Sequence, residues 1–129
     1  HRLIRRQRQM CVRDRNILLN KEGGPNHVGN YCDAPFLFDE ECKELLQRMS
    51  ADYYWHFAHF IQPGAVRLGF SRYTDGIDVT AWENPDGRIV LILLNRGEEA
   101  VPVHIRISGK ETEIVLSAHS IVSGVISRE

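Results

Sequence analysis

The segment Asn84-Pro85-Asp86-Gly87-Arg88-Ile89-Val90-Leu91-Ile92-Leu93-Leu94-Asn95-Arg96 decides the fold. Pro85 is preset for the second position of a tight turn, and Gly87 can take positive φ at its end. The continuous apolar run Arg88–Asn95 then fits a central strand. On either side of it the pattern alternates with period two. Val66, Leu68 and Phe70 alternate with Arg67, Gly69 and Ser71, and Ile77, Val79 and Ala81 with Asp78, Thr80 and Trp82. After the turn Arg96-Gly97-Glu98-Glu99, Val101, Val103, Ile105 and Ile107 alternate with Pro102, His104 and Arg106. Ser108-Gly109-Lys110 turns the chain into Glu113–Leu116, and Ser120–Ile126 follows. Six short strands at regular spacing, separated by turn signals, predict a mainly β chain folded as an antiparallel β-sandwich rather than an α/β sheet.

Upstream the texture differs. Asn16-Ile17-Leu18-Leu19-Asn20 is a short apolar run of the kind buried on both faces in a parallel sheet or barrel. It ends at Lys21-Glu22-Gly23-Gly24-Pro25-Asn26, and a long irregular stretch continues to Pro35. Loops of that length are usually functional or disordered. Asp39 is placed to cap a short helix over Glu40–Arg48, with acids at its start and Arg48 at its end. Asp52 is placed to cap a second helix, Tyr53–Ile61, stopped by Pro63-Gly64. That helix is apolar nearly all round and should be buried.

At 129 residues, 43% hydrophobic and 26% charged, the chain has the composition of a globular domain. No apolar run reaches the roughly 18 residues of a membrane span, and the first residues lack the hydrophobic stretch of a signal peptide. The expectation is a soluble, cytoplasmic protein. Its net charge of −1 is unevenly distributed. Residues 1–15 hold six arginines against the single acid Asp14, whereas the remainder holds ten Lys and Arg against sixteen Asp and Glu. Three cysteines, Cys11, Cys32 and Cys42, with no CxxC pair, signal neither a disulfide framework nor a zinc site.

Few residues carry chemistry. His56 and His59 are three apart on the second helix, but no third ligand is suggested nearby, so neither a metal nor another cofactor is expected. Asp39-Glu40-Glu41 has a structural reason to open a helix, and Glu83, Glu98 and Glu99 sit at turns as solvated charges. The arginines of residues 1–15 could attract phosphates, yet the acidic body lacks interleaved basic and aromatic residues, and no nucleic-acid partner is expected. The loop Gly23–Pro35 is more informative. Asn26 and Asn30 offer amide donors and acceptors to sugar hydroxyls, and His27 or Tyr31 a ring face for an apolar sugar face.

The run Asn16–Asn20 followed by Gly23-Gly24-Pro25-Asn26-His27-Val28-Gly29-Asn30-Tyr31-Cys32-Asp33-Ala34-Pro35 resembles the end of the catalytic barrel in glycoside hydrolase family 30, the glucosylceramidase-like β-glycosidases. His56-Phe57-Ala58-His59-Phe60-Ile61-Gln62-Pro63-Gly64 resembles the family's last barrel helix and its exit, Asn84–Arg96 a hairpin of the side domain, and Ala118-His119-Ser120-Ile121 its closing strand. The resemblance runs in unbroken order over residues 16–129.

The resemblance implies a retaining hydrolase built from a (β/α)8 barrel with an attached sandwich, acting on β-glucosides such as glucosylceramide. It divides this chain into a basic segment 1–15, a remnant of the last β/α unit at 16–62, and a β-sandwich at 63–129. Both catalytic glutamates of the family would lie upstream of this sequence, so no catalytic residue is expected here, and a β-glucoside would be bound only with a complete barrel. Asn30 matches an asparagine of the family's sugar pocket and Tyr31 an aromatic at its mouth; Asn26 and His27 match neighbouring loop positions. Where the family has an Asp-Trp pair before the last strand, this chain has Asp14-Arg15. The family sandwich also borrows strands from the N-terminal part of its chain. Without them open edges remain, and self-association is expected. The competing class is a non-catalytic β-sandwich that binds carbohydrate or protein.

Overall fold

The computed structural model describes residues 16–25, 29 and 32–127, in two compact units, His1–Tyr54 and Trp55–Glu129. In the first, β1 (Leu18–Asn20) pairs parallel with β2 (Phe36–Asp39), which pairs antiparallel with β3 (Glu44–Gln47). Helix α1 (Met49–Phe60) follows. Leu19, Ala34 and Leu37 form a small core with Cys32 packed against it.

Three expectations are corrected here. Glu40–Arg48 is not a helix but the turn and returning strand of a hairpin, registered from Phe36 opposite Gln47 to Asp39 opposite Glu44. Asp39 does cap, but it caps a turn: its Oδ1 accepts from the amides of Glu41 and Cys42 at 3.0 and 3.3 Å. The strand at Leu18–Asn20 is covered on one face only, since Leu19 is 4% exposed while Ile17 and Leu18 are 71% and 51% exposed. Helix α1 is present and starts at Met49, yet its aromatic residues Tyr54, Trp55 and Phe57 are exposed, and Ala51 is its buried residue. Among the described residues no element covers those rings.

In the second unit the strands β4 (Val66–Arg67), β5 (Ile77–Glu83), β6 (Ile89–Asn95) and β9 (Ser120–Ile126) form a sheet in the order β4-β5-β6-β9, antiparallel throughout. Strands β7 (Val101–Ile107) and β8 (Lys110–Leu116) form a second, antiparallel pair. The sandwich expected from the sequence is what forms. Inward residues Ile77, Leu93 and Leu116 pack with Val79, Val101, Val103, Ile105, Ile114 and Val122, and Ala81, Ile89 and Leu91 pack with Leu68, Ile107 and Ile126. Burying a side chain the size of Leu93 or Leu116 contributes about 1.5–3 kcal/mol. On the outer face of β7–β8 the alternation places His104 opposite Glu113, with Nδ1 3.5 Å from Oε2, and Arg106 opposite Glu111 as an ion pair.

The central strand is buried on both faces because the helix end docks opposite the second sheet. Val90 and Ile92, which point away from the inter-sheet core, are 0% and 3% exposed. His56 Nδ1 lies 2.8 Å from Ser123 Oγ, beside Ile92 in register. At the helix end, the buried Asn84 donates from Nδ2 to the Phe60 carbonyl at 2.9 Å and accepts at Oδ1 from the Gln62 amide at 3.1 Å. The same residue opens the β5–β6 turn, where the Gly87 amide donates to its carbonyl at 2.9 Å and Gly87 has φ 79°. One residue thus terminates a helix with its side chain and closes a hairpin with its main chain.

Candidate functional site

The loop between β1 and β2 leaves the C-terminal end of a parallel strand, the end at which ligand sites collect in parallel α/β architectures. Asn26, His27, Asn30 and Tyr31 lie outside the described residues, as do residues 1–15 with Asp14 and Arg15. The base that carries the loop is described in detail.

Asn20 folds the chain back on itself. Its carbonyl accepts from the Gly23 amide at 3.0 Å, its amide donates to the Gly24 carbonyl at 2.8 Å, and its Oδ1 accepts from the Gly24 amide at 2.6 Å. The returning limb is tied to the same point, because the Cys32 amide donates to the Gly23 carbonyl at 3.2 Å. Gly23 is required there: its φ is 83°, and a Cβ would stand 2.5 Å from the Cys32 carbonyl oxygen. The Gly24–Pro25 peptide is cis. Asp33 then accepts the Ala34 amide at Oδ1 and pairs with Arg48 at Oδ2.

Below the loop, Lys21 Nζ meets Asp39 Oδ2 at 2.7 Å, with the Asp39 side chain almost buried and Lys21 half exposed. No spacing in the sequence marks this pair, which the parallel register of β1 and β2 brings together. The hydrogen bond from Lys21 holds the Asp39 carboxyl below the usual carboxylate range, and the Cys42 and Glu41 amides add to it. The same bond raises the Lys21 ammonium above its usual value. A depressed acid stabilises the fold above its unfolded pKa, about 3.9, and the effect is lost as pH falls through the folded value. A raised lysine stabilises below its unfolded pKa, about 10.4, and the effect is lost as pH rises through the folded value. Asp39→Asn is therefore expected to lower the urea midpoint at neutral pH and to remove part of the acid-induced decline below about pH 4. Urea titrations of both proteins between pH 2 and 8 check it; parallel curves would exclude the pair as the cause.

Elsewhere the candidates separate. His56 is engaged by Ser123, whereas the His59 ring stacks on Trp55 with centroids 4.7 Å apart and planes 13° from parallel. Among the described residues no group of three or more His, Cys, Asp or Glu is placed to hold a metal ion. Asp86 is held below the usual carboxylate range by the Arg88 side chain, and exposed Glu98 pairs with His119 at 3.0 Å. A depressed carboxyl is the reverse of what a general acid requires. Among the described residues no helix is long and apolar enough to cross a membrane.

Comparison with known proteins places this framework. The glycosyl hydrolase family 30 beta sandwich domain matches residues 64–124. A putative glucosylceramidase 1 of Caenorhabditis elegans is 38% identical over 86 residues, 65% of this chain and 16% of that protein. The lysosomal acid glucosylceramidase of Mus musculus is 37% identical over 94 residues, 71% of this chain and 18% of that protein. Among solved structures, SrfJ from Salmonella typhimurium superposes with a TM-score of 0.83 and 32% identity, over 88% of this chain and 26% of that one. The chain thus spans less than a fifth of the length of these curated relatives. Residues 64–124 of this chain are a glycosyl hydrolase family 30 beta sandwich domain.

Proposed function

We propose that this chain is the C-terminal region of a glucosylceramidase-like retaining β-glycosidase, with residues 16–62 the last β/α unit of the catalytic barrel and residues 63–129 its side domain. The observation that carries the reading is a parallel β1–β2 pair with a long loop at its C-terminal end, followed in the same chain by a family 30 beta sandwich. In this reading Asn30 and Tyr31, with Asn26 and His27, line the sugar pocket of the complete barrel. β-Glucosides of the glucosylceramide type are the substrates of that assembly.

Retaining chemistry places two carboxyl groups about 5 Å apart across the scissile bond. In this reading neither catalytic glutamate is among the 129 residues. The depressed carboxyls Asp39 and Asp86 are poor substitutes for the protonated acid such a pair needs. The purified chain is expected to give no turnover of a chromogenic β-glucoside. Turnover above a buffer blank would overturn the reading, and sugar binding without turnover would favour a carbohydrate-binding module. The chain alone is further expected to self-associate, which light scattering at micromolar concentration tests. A cytoplasmic location belongs to the same proposal, against a mouse relative whose name is lysosomal; cell fractionation distinguishes the two.

A further inference from the structure

The segment joining β4 to β5 is extended in sequence and irregular in structure: residues 68–76 belong to neither helix nor strand, and residues 69–76 are all exposed. Its ends are fixed. The Leu68 amide donates to the Ala81 carbonyl at 2.8 Å, and Leu68 packs against Ala81, Ile89 and Leu91. Arg72 donates from Nη1 to the Ile77 carbonyl at 2.8 Å and from Nη2 to Asp75 Oδ1 at 3.0 Å, and Nη1 lies 3.5 Å from Asp78 Oδ1. Between these anchors, residues 69–75 make no main-chain to main-chain hydrogen bond among the described residues. Tyr73 is 98% exposed and Phe70 45%. A ring standing wholly in water adds nothing to the core.

We infer that this segment is a processing site for an endoprotease with an aromatic-specific pocket, cut at the Tyr73–Thr74 bond, and that the two pieces stay together. A protease needs main chain whose amides and carbonyls are free, so bonds within helices and paired strands are cut only after they open. Here those groups are free in the folded chain, and the ring that fills the pocket already projects into solvent. The exposed rings of Tyr54, Trp55 and Phe57 belong to helix α1, and Phe38 to the paired strand β2. A protease selecting arginine is not served, because the Arg72 guanidinium is occupied and Arg67 is paired opposite Trp82. Hydrolysis breaks the C–N bond, adds the hydroxyl of water to the Tyr73 carbonyl carbon and a proton to the Thr74 nitrogen, and leaves a carboxylate and an ammonium. Contacts that cross the cut remain. Val66 and Arg67 pair with Glu83 and Trp82, His56 meets Ser123, Asn84 holds Phe60 and Gln62, and Arg72 reaches Asp75 and Ile77.

Brief digestion of the full chain with chymotrypsin under native conditions tests this, read by mass spectrometry and gel filtration. One piece should end at Tyr73 and another begin at Thr74, and the two should elute together and part only in urea. Tyr73→Ser should slow cleavage in this segment about tenfold or more and leave the melting temperature unchanged, since the ring touches no core. Trypsin should cut the Arg72–Tyr73 bond of the unaltered chain about tenfold more slowly than chymotrypsin cuts the next bond. A first chymotryptic cut within residues 32–127 that falls outside 69–76 overturns the site. Pieces that separate without urea overturn the two-piece product, and a Tyr73→Ser chain nicked in this segment at the original rate overturns the aromatic specificity.

Discussion

Replacing Asn95 with alanine is expected to cost about 3 kcal/mol and to lower the melting temperature by about 10 °C, because the side chain holds two loops at once. Asn95 ends β6 and is 1% exposed. Its Nδ2 donates to the carbonyls of Glu99 at 2.8 Å and Ser117 at 2.9 Å, and its Oδ1 accepts from the Gly97 amide at 2.9 Å. These bonds link the segment leading into β7 with the segment leaving β8. Alanine would remove both donors and the acceptor, and each orphaned group costs about 1 kcal/mol or more when water cannot reach it.

Asn95→Asp separates the loss of hydrogen bonds from the loss of volume. Aspartate keeps the acceptor for Gly97 but turns a charged oxygen toward the Glu99 and Ser117 carbonyls. Burial and those carbonyls would both raise its pKa, so the folded state would bind its proton more tightly than the unfolded state. Stability of the Asp variant should therefore rise as pH falls from 7 toward the unfolded carboxyl value, about 3.9. Thermal unfolding of the three proteins at pH 7 and pH 5 checks both statements. A variant as stable as the parent at pH 7 would show that water, not Asn95, satisfies the loops.

The sandwich was legible because its residues obey a single pattern. In β7 the even positions Pro102, His104 and Arg106 are exposed and the odd positions are half-buried, as the period of two demands. The run Ile89–Asn95 is buried along almost its whole length, as a central strand must be. The hairpin at residues 36–47 was not legible, for a chemical reason. An aspartate that accepts the amides two and three residues ahead caps a helix or closes a turn with the same hydrogen bonds. The acids after Asp39 fit either outcome. Pairing of Phe36–Phe38 with β1 favours the hairpin, and that contact is not local in sequence.

Helix α1 failed differently. An apolar sequence states that a helix needs cover, but not where the cover comes from, and Trp55 and Tyr54 remain open to solvent. Of the candidate site, the sequence pointed to the loop and the four side chains Asn26, His27, Asn30 and Tyr31. It did not point to Lys21 and Asp39, which a parallel register joins across 18 positions. A nearby Gly-Gly pair marked the turn, while the need for glycine at Gly23 in particular comes from the approach of Cys32.

That approach makes Gly23→Ala the second severe substitution. Its φ of 83° already places an alanine in the left-handed region, at about 1–2 kcal/mol. The added methyl would also stand 2.5 Å from the Cys32 carbonyl oxygen and 2.9 Å from its nitrogen, both main-chain atoms that cannot rotate away. The returning limb must move, breaking the bond from the Cys32 amide to Gly23 and pulling Cys32 from the cluster of Leu19, Ala34 and Leu37. A total of about 3 kcal/mol is expected, from strain and lost packing together. Gly29→Ala is the matched control: its φ is 70°, but an added Cβ meets nothing within 4 Å, so about 1 kcal/mol is expected. Thiol labelling located by mass spectrometry reads the difference at the loop itself. Cys32 is half-buried and Cys42 exposed, so Gly23→Ala should speed labelling of Cys32 at least tenfold and leave Cys42 unchanged. If Cys32 labels at its original rate while the protein stays folded, the loop base is held by contacts other than the Gly23–Cys32 approach.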